Sequence, residues 1–204
     1  MRKSNEELIK IISQGQVQKF VAYLNAKGEI SETVKKAVFK SKKPGILKAY
    51  INNVFPAGSE FYNHQDLVAR YANRKTLCTY YLYHRFDTIG QIELIKRGVI
   101  RIFSYYVGRS PKLTKDAFAF LVSEGKAQLV KYYLENCLEA EDIKDFIEFG
   151  NLKYIKYYTK IATASELEVV ATVVCNLEDK ELKAQIIKEC KALRPWLFVN
   201  GEMC

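Results

Sequence analysis

"FLVSEGKAQLVKYYLENC", residues 120 to 137, decides the fold, because "FIEFGNLKYIKYYTK" at 146 to 160 and "IISQGQVQKFVAYLN" at 11 to 25 restate its pattern. Counted from Gly125, Leu129 and Val130 stand four and five places on, and Tyr132, Tyr133 and Leu134 stand seven, eight and nine places on. Gly15, Gly98 and Gly150 head the same train, while Lys42 and Asn73 take the glycine's place in two more copies. The six origins, at 15, 42, 73, 98, 125 and 150, lie 27, 31, 25, 27 and 25 residues apart. Each has a tyrosine at its eighth place: Tyr23, Tyr50, Tyr81, Tyr106, Tyr133 and Tyr158. A fixed period of this length marks a repeat architecture.

At about 100° per residue, offsets four, five, eight and nine share one helical face, with the eighth near its centre. The six tyrosines are therefore the expected structural core of the repeats. Offset seven lies at the edge of that face, so Tyr80, Tyr105, Tyr132 and Tyr157 are expected against a neighbouring repeat or solvent. Upstream of each origin a second apolar train keeps helical spacing, for example Phe118, Leu121 and Val122 or Ile143, Phe146 and Ile147. Ser31, Asn63 and Thr114 suit helix starts, and Gly15, Gly98, Gly125 and Gly150 suit turns that need a positive φ.

Each unit thus reads as helix, tight turn, helix, loop, and stacking buries what one unit leaves exposed. The expected architecture is all-α: an α-solenoid of six to seven helix-turn-helix repeats in a single domain spanning 1–204. The repeats run over about 5–28, 31–55, 63–86, 89–109, 113–137 and 140–161. Residues 165–204 form a terminal cap, in which Pro195 stops the last helix, and no sheet is expected.

"SEGKAQLVKYYLENC" and "EFGNLKYIKYYTK" resemble the second half of an ankyrin repeat, through Gly125, Val130, Lys131 and Leu134 and through Gly150, Asn151, Leu152, Ile155 and Lys156. The resemblance weakens but extends over residues 6 to 160. The threonine-proline-leucine-histidine opening of an ankyrin unit is absent, and the period is about 25 to 27 rather than 33. The resemblance implies an ankyrin-like array without well-formed β-hairpins, and a non-catalytic protein that binds other proteins.

Composition sets the outer limits. The chain has 204 residues, 49% hydrophobic and 27% charged, the balance of a folded protein. No apolar stretch has the length of a signal peptide or a bilayer span, and five cysteines without a regular framework read as reduced thiols. A cytoplasmic location is expected. Net charge is +9, yet residues 1 to 115 hold 21 Lys and Arg against 8 Asp and Glu, while residues 116 to 204 hold 11 against 15.

That asymmetry points to an acidic partner, expected to be held against the inner helices or at a basic edge. Lys40, Lys42, Lys43, Arg74, Lys75, Lys96, Arg97 and Arg101 come from three successive repeats near one position, so stacking is expected to align them as a basic edge. A solvated edge that only keeps the chain soluble is the alternative. Nucleic acid, held by the basic first half, is the second partner class; it requires exposed aromatic rings for base stacking. The insertion "NNVFPAGSEFYNHQ", with Phe55, Phe61 and Tyr62, and the tail residues Trp196, Leu197 and Phe198 either cover the core or reach a partner.

Catalysis finds no support. His64 and His84 are expected at the surface, without Cys, Asp or Glu at metal or triad spacing, and no glycine-rich phosphate loop occurs. Glu141, Asp142, Asp145 and Glu148 read as a solvated acidic face. No cofactor, metal or small-molecule substrate is expected.

Overall fold

Short polar side chains open several of the helices. Ser4, Ser31, Thr114 and Thr163 each accept the backbone N–H three residues on, and Ser4 and Thr163 close reciprocal capping boxes with Glu7 and Glu166. In the computed structural model the described residues are 4–26, 30–54, 64–109, 112–193, 198–199 and 202–203.

The chain is helical and divides into two compact units, residues 1–97 and 98–204. The first holds α1 (Asn5–Ser13), α2 (Val17–Asn25), α3 (Glu32–Lys40), α4 (Pro44–Val54), α5 (Gln65–Tyr71), α6 (Arg74–Tyr83) and α7 (Thr88–Arg97). The second holds α8 (Ile100–Val107), α9 (Lys115–Glu124), α10 (Ala127–Asn136), a 3-10 turn (Ala140–Asp142), α11 (Ile143–Glu148), α12 (Leu152–Ile161), α13 (Ala164–Cys175) and α14 (Lys180–Leu193). The boundary falls inside the fourth sequence repeat.

In the C-terminal unit the helices pack as two series. α9, α11 and α13 lie side by side, and so do α8, α10, α12 and α14. Phe118 of α9 and Phe146 of α11 join the series through rings, Phe118 to Tyr133 at 5.0 Å and Phe146 to Tyr158 at 5.6 Å. In the N-terminal unit α1 packs on α3, α2 on α4, and α5 on α7, while α4 also packs on α5.

In the third repeat the register differs by one residue from the expected Tyr81. α6 starts from Asn73, whose side chain accepts the N–H of Thr76, so Asn73 is the helix cap and Ala72 the residue equivalent to the other origins. The buried tyrosine there is Tyr80, fully inaccessible beside Thr76 and Leu77. The intervals then become 27, 30, 26, 27 and 25, and the tyrosine stands seven places after the cap in every copy. Tyr50, Tyr106, Tyr133 and Tyr158 are also buried, while Tyr23 is half-buried in the first repeat. Truncating one of the fully buried rings to alanine costs about 3–5 kcal/mol by analogy with other aromatic cores.

The turns come in two forms. Gly15, Gly98 and Gly150 take φ near +65° to +70°, and Lys42 takes the same left-handed position at φ 51°. Gly125 does not: its φ of −67° and ψ of 147° match Ala72 at −64° and 139°. Glycine is needed at Gly125 for space, since a Cβ there would run into the Leu121 carbonyl oxygen.

The expectation that no sheet occurs is corrected in the tail. Phe198–Val199 (β1) and Glu202–Met203 (β2) pair antiparallel, Phe198 opposite Met203. Phe55, Phe61, Tyr62, Asn63, Trp196 and Leu197 lie outside the described residues. Among the described residues no helix is long and apolar enough to cross a membrane.

Candidate partner-binding surface

The residues expected to form one basic edge fall into separate settings. Lys42 and Lys43 are exposed in the turn before α4, and the Lys43 chain lies 3.7 Å from where a Cβ on Gly15 would stand, so the first two turns are neighbours. Arg74 and Lys75 are exposed in the first turn of α6. The backbone N–H of Asn73 beside them donates to Asn52 Oδ1, eight residues past Pro44 and roughly 12 Å along α4 at 1.5 Å per residue. The two pairs of cations therefore stand at different levels of the N-terminal unit.

Arg97 has another task. It is half-buried, and its guanidinium donates to the carbonyl oxygens of Ala69 at 3.1 Å and Ala72 at 2.7 Å. These are carbonyls at the end of α5 that the helix itself leaves unpaired, so Arg97 acts as a cap from the next first helix. Lys96 is exposed and shares Glu93 with Arg70, at 3.0 and 2.6 Å. Lys40 is exposed in the last turn of α3. Arg101 is exposed in α8 and belongs to the C-terminal unit.

Position on the helix separates these charges. Lys40 and Lys96 sit at C-terminal ends, where the macrodipole favours cations. Lys43, Arg74 and Lys75 sit at N-terminal ends, where it opposes them. The helices α2, α4, α6, α8, α10 and α12 have no acidic residue in the first turn, and the caps of α2, α8, α10 and α12 make no side-chain hydrogen bond. The macrodipole accounts for none of the cations placed there.

Counting by helix shows a pattern hidden in a count along the chain. The first helices of the six repeats, α1 to α11 by odd number, hold 9 Lys and Arg against 9 Asp and Glu. The second helices, α2 to α12 by even number, hold 9 against a single acid, Glu135. Residues 98–204 are neutral in sum, 15 against 15, but this neutrality hides a basic series of second helices.

On the acidic side the carboxylates are ion-paired across repeats. Lys112 reaches Glu139, Glu141 and Asp142, and Lys115 reaches Asp145 at 2.6 Å. These pairs raise both ammonium groups above the ordinary lysine range, first through the Glu139 and Asp145 hydrogen bonds respectively. His64 is half-buried and stacks on Phe39 at 4.0 Å, not at the surface as expected, because α3 supplies a ring beside it.

A row of tyrosines stands six places after the cap, at the edge of the apolar face. In α8, α10 and α12 it holds Tyr105, Tyr132 and Tyr157, all half-buried. Arg109 lies over the Tyr105 ring at 4.8 Å and Lys131 over the Tyr157 ring at 4.7 Å. The Tyr157 hydroxyl donates to Glu135.

The fold and this surface define a predominantly helical chain with basic second helices. Comparison with protein-family models, with curated proteins and with solved structures gives no match.

Proposed function

We propose that the chain is a non-catalytic, ankyrin-like α-solenoid scaffold, working in the cytoplasm, that binds a protein partner with an acidic surface. The observation that carries this reading is the near absence of acid from the second helices, with cations at helix starts that oppose the dipole. Charges that cost local stability and stand exposed are what a charge-complementary interface requires. Lys42, Lys43, Arg74 and Lys75 are the contacts in the N-terminal unit, and Arg97 is left out because the α5 carbonyls hold it.

Nucleic acid is the weaker reading, since cations of the chain itself lie over the Tyr105 and Tyr157 rings on which bases stack in such proteins. The test is affinity capture from native cell extract by the wild-type chain beside the Lys42→Glu, Lys43→Glu, Arg74→Glu, Lys75→Glu variant, with quantitative mass spectrometry. Loss of acidic proteins from the variant is the expected result. Recovery of the same proteins by both, or loss of nucleic-acid-borne material alone, overturns the reading.

A further inference from the structure

We infer that the exposed face of α8, α10 and α12 binds an extended acidic peptide segment of the partner, with carboxylates at every third residue. The inference rests on the scaffold reading above and concerns a surface of the C-terminal unit. The three helices pack in series, α8 on α10 and α10 on α12. Each carries the same positions: two places after the cap stand Arg101, Gln128 and Lys153, five places after it Ser104, Lys131 and Lys156, and six places after it the tyrosine. Arg101, Lys131 and Lys153 are exposed, one on each helix, flanking a row of half-buried tyrosines. The single carboxylate carried by these three helices, Glu135, accepts from the Tyr157 hydroxyl, and Lys156 is ion-paired with Glu189 of α14 at 2.5 Å.

Packed helices lie about 8–10 Å apart. A peptide in the polyproline II conformation advances about 3.1 Å per residue with three residues per turn, so three residues cover about 9 Å and bring every third side chain, on one face, to the next helix. A carboxylate at each such place meets one cation, with Lys131 set about one turn further along its helix than Arg101 and Lys153, and the tyrosines beside them supply apolar ring edges along the peptide. The ring faces are a poor stacking platform for bases because Lys131 and Arg109 lie over them.

Fluorescence anisotropy at low ionic strength tests this with the full chain and three labelled probes. Two are peptides of about nine residues, roughly 30 Å extended, one with Glu at every third position and one of the same composition with its Glu residues contiguous; the third is a single-stranded oligothymidine of similar length. The spaced peptide is expected to bind at least tenfold tighter than the contiguous one. The Lys131→Glu, Lys153→Glu variant, checked for folding by circular dichroism, is expected to lose at least tenfold, and Tyr132→Ala several-fold. Equal binding of the two peptides, binding indifferent to the charge reversal, or tighter binding of the oligonucleotide overturns the inference. If the extract experiment still shows loss of acidic partners while the peptides bind equally, the scaffold reading stands and the peptide site alone falls.

Discussion

Asn52 Oδ1 accepts the backbone N–H of Asn73 at 2.9 Å and the hydroxyl of Thr76 at 2.8 Å, tying the end of α4 to the start of α6. Its Nδ2 donates to the Lys48 carbonyl at 2.8 Å and reaches the Tyr71 carbonyl at 3.4 Å. One side chain therefore bridges the place where the stacking of the N-terminal unit changes. Asn52→Ala leaves the buried Thr76 hydroxyl without this acceptor and is expected to cost about 1–3 kcal/mol, the desolvation penalty of an orphaned buried group. Urea unfolding checks it, and Asn52→Asp, which keeps the acceptor, is expected to lose less.

Arg97 and the turn lysines should respond in opposite ways. Arg97→Lys keeps the charge but not the two N–H bonds to Ala69 and Ala72 made from one guanidinium, and is expected to cost about 1–2 kcal/mol. Lys43→Glu and Lys75→Glu replace a cation with an anion at a helix start and are expected to leave stability unchanged or raise it by about 0.3–1 kcal/mol each. Thermal unfolding of the three variants in low salt decides the matter. A loss of stability on reversing Lys43 or Lys75 would mean those charges serve the fold.

Acid should loosen the start of α13 through Glu166. Its Oε2 accepts the hydroxyl and the backbone N–H of Thr163, both at 2.7 Å. The hydroxyl first, then the N–H, holds this carboxyl below the ordinary glutamate range. A carboxyl depressed in the folded state stabilises above its unfolded value, near ~4.3, and that contribution is lost as pH falls through the folded value. Glu166→Gln is expected to be less stable at neutral pH and to show a shallower fall below pH ~4.3. Parallel slopes for the two proteins between neutral and acid pH would show that Glu166 contributes nothing.

The column of tyrosines and the helix starts at Ser31 and Thr114 were legible because they depend on near neighbours in sequence. Asn73 misled the register because it is a helix cap standing where a repeat origin was sought. Its role shows only once its side chain is seen to accept the Thr76 N–H. Arg97 looked like one more surface cation, since its partners Ala69 and Ala72 lie 28 and 25 residues away and are backbone atoms without a sequence signature. The basic second helices were within reach of the sequence. Charges summed over halves of the chain concealed them, and summing by helix of the repeat reveals Glu135 as the lone acid.

The thiols should separate by reactivity. Burial pushes the Cys137 thiol up to about 11, while Cys175 is exposed at the end of α13. The thiolate is the nucleophile, so iodoacetamide at mildly alkaline pH is expected to label Cys175 at least tenfold faster than Cys137. Peptide mapping by mass spectrometry over a time course reads both rates. Equal rates would indicate that the segment around Cys137 opens readily.

The two kinds of turn give the last expectation, with opposite signs at two equivalent positions. Lys42 holds a left-handed backbone at φ 51°, which costs a residue with a Cβ about 1–2 kcal/mol relative to glycine. Lys42→Gly relieves that strain but adds freedom to the unfolded chain, so a net gain below about 1 kcal/mol is expected. Gly125 is not left-handed, and by backbone angles alone alanine would fit there and stabilise. The Leu121 carbonyl oxygen, which accepts the Gly125 N–H at 2.9 Å, occupies the space that a Cβ needs. Gly125→Ala must push the turn away from the end of α9 and weaken that hydrogen bond, so it is expected to destabilise by about 1–3 kcal/mol. Chemical unfolding of the two single variants measures both signs, and a stabilising Gly125→Ala would show that the turn after α9 has room the packing denies.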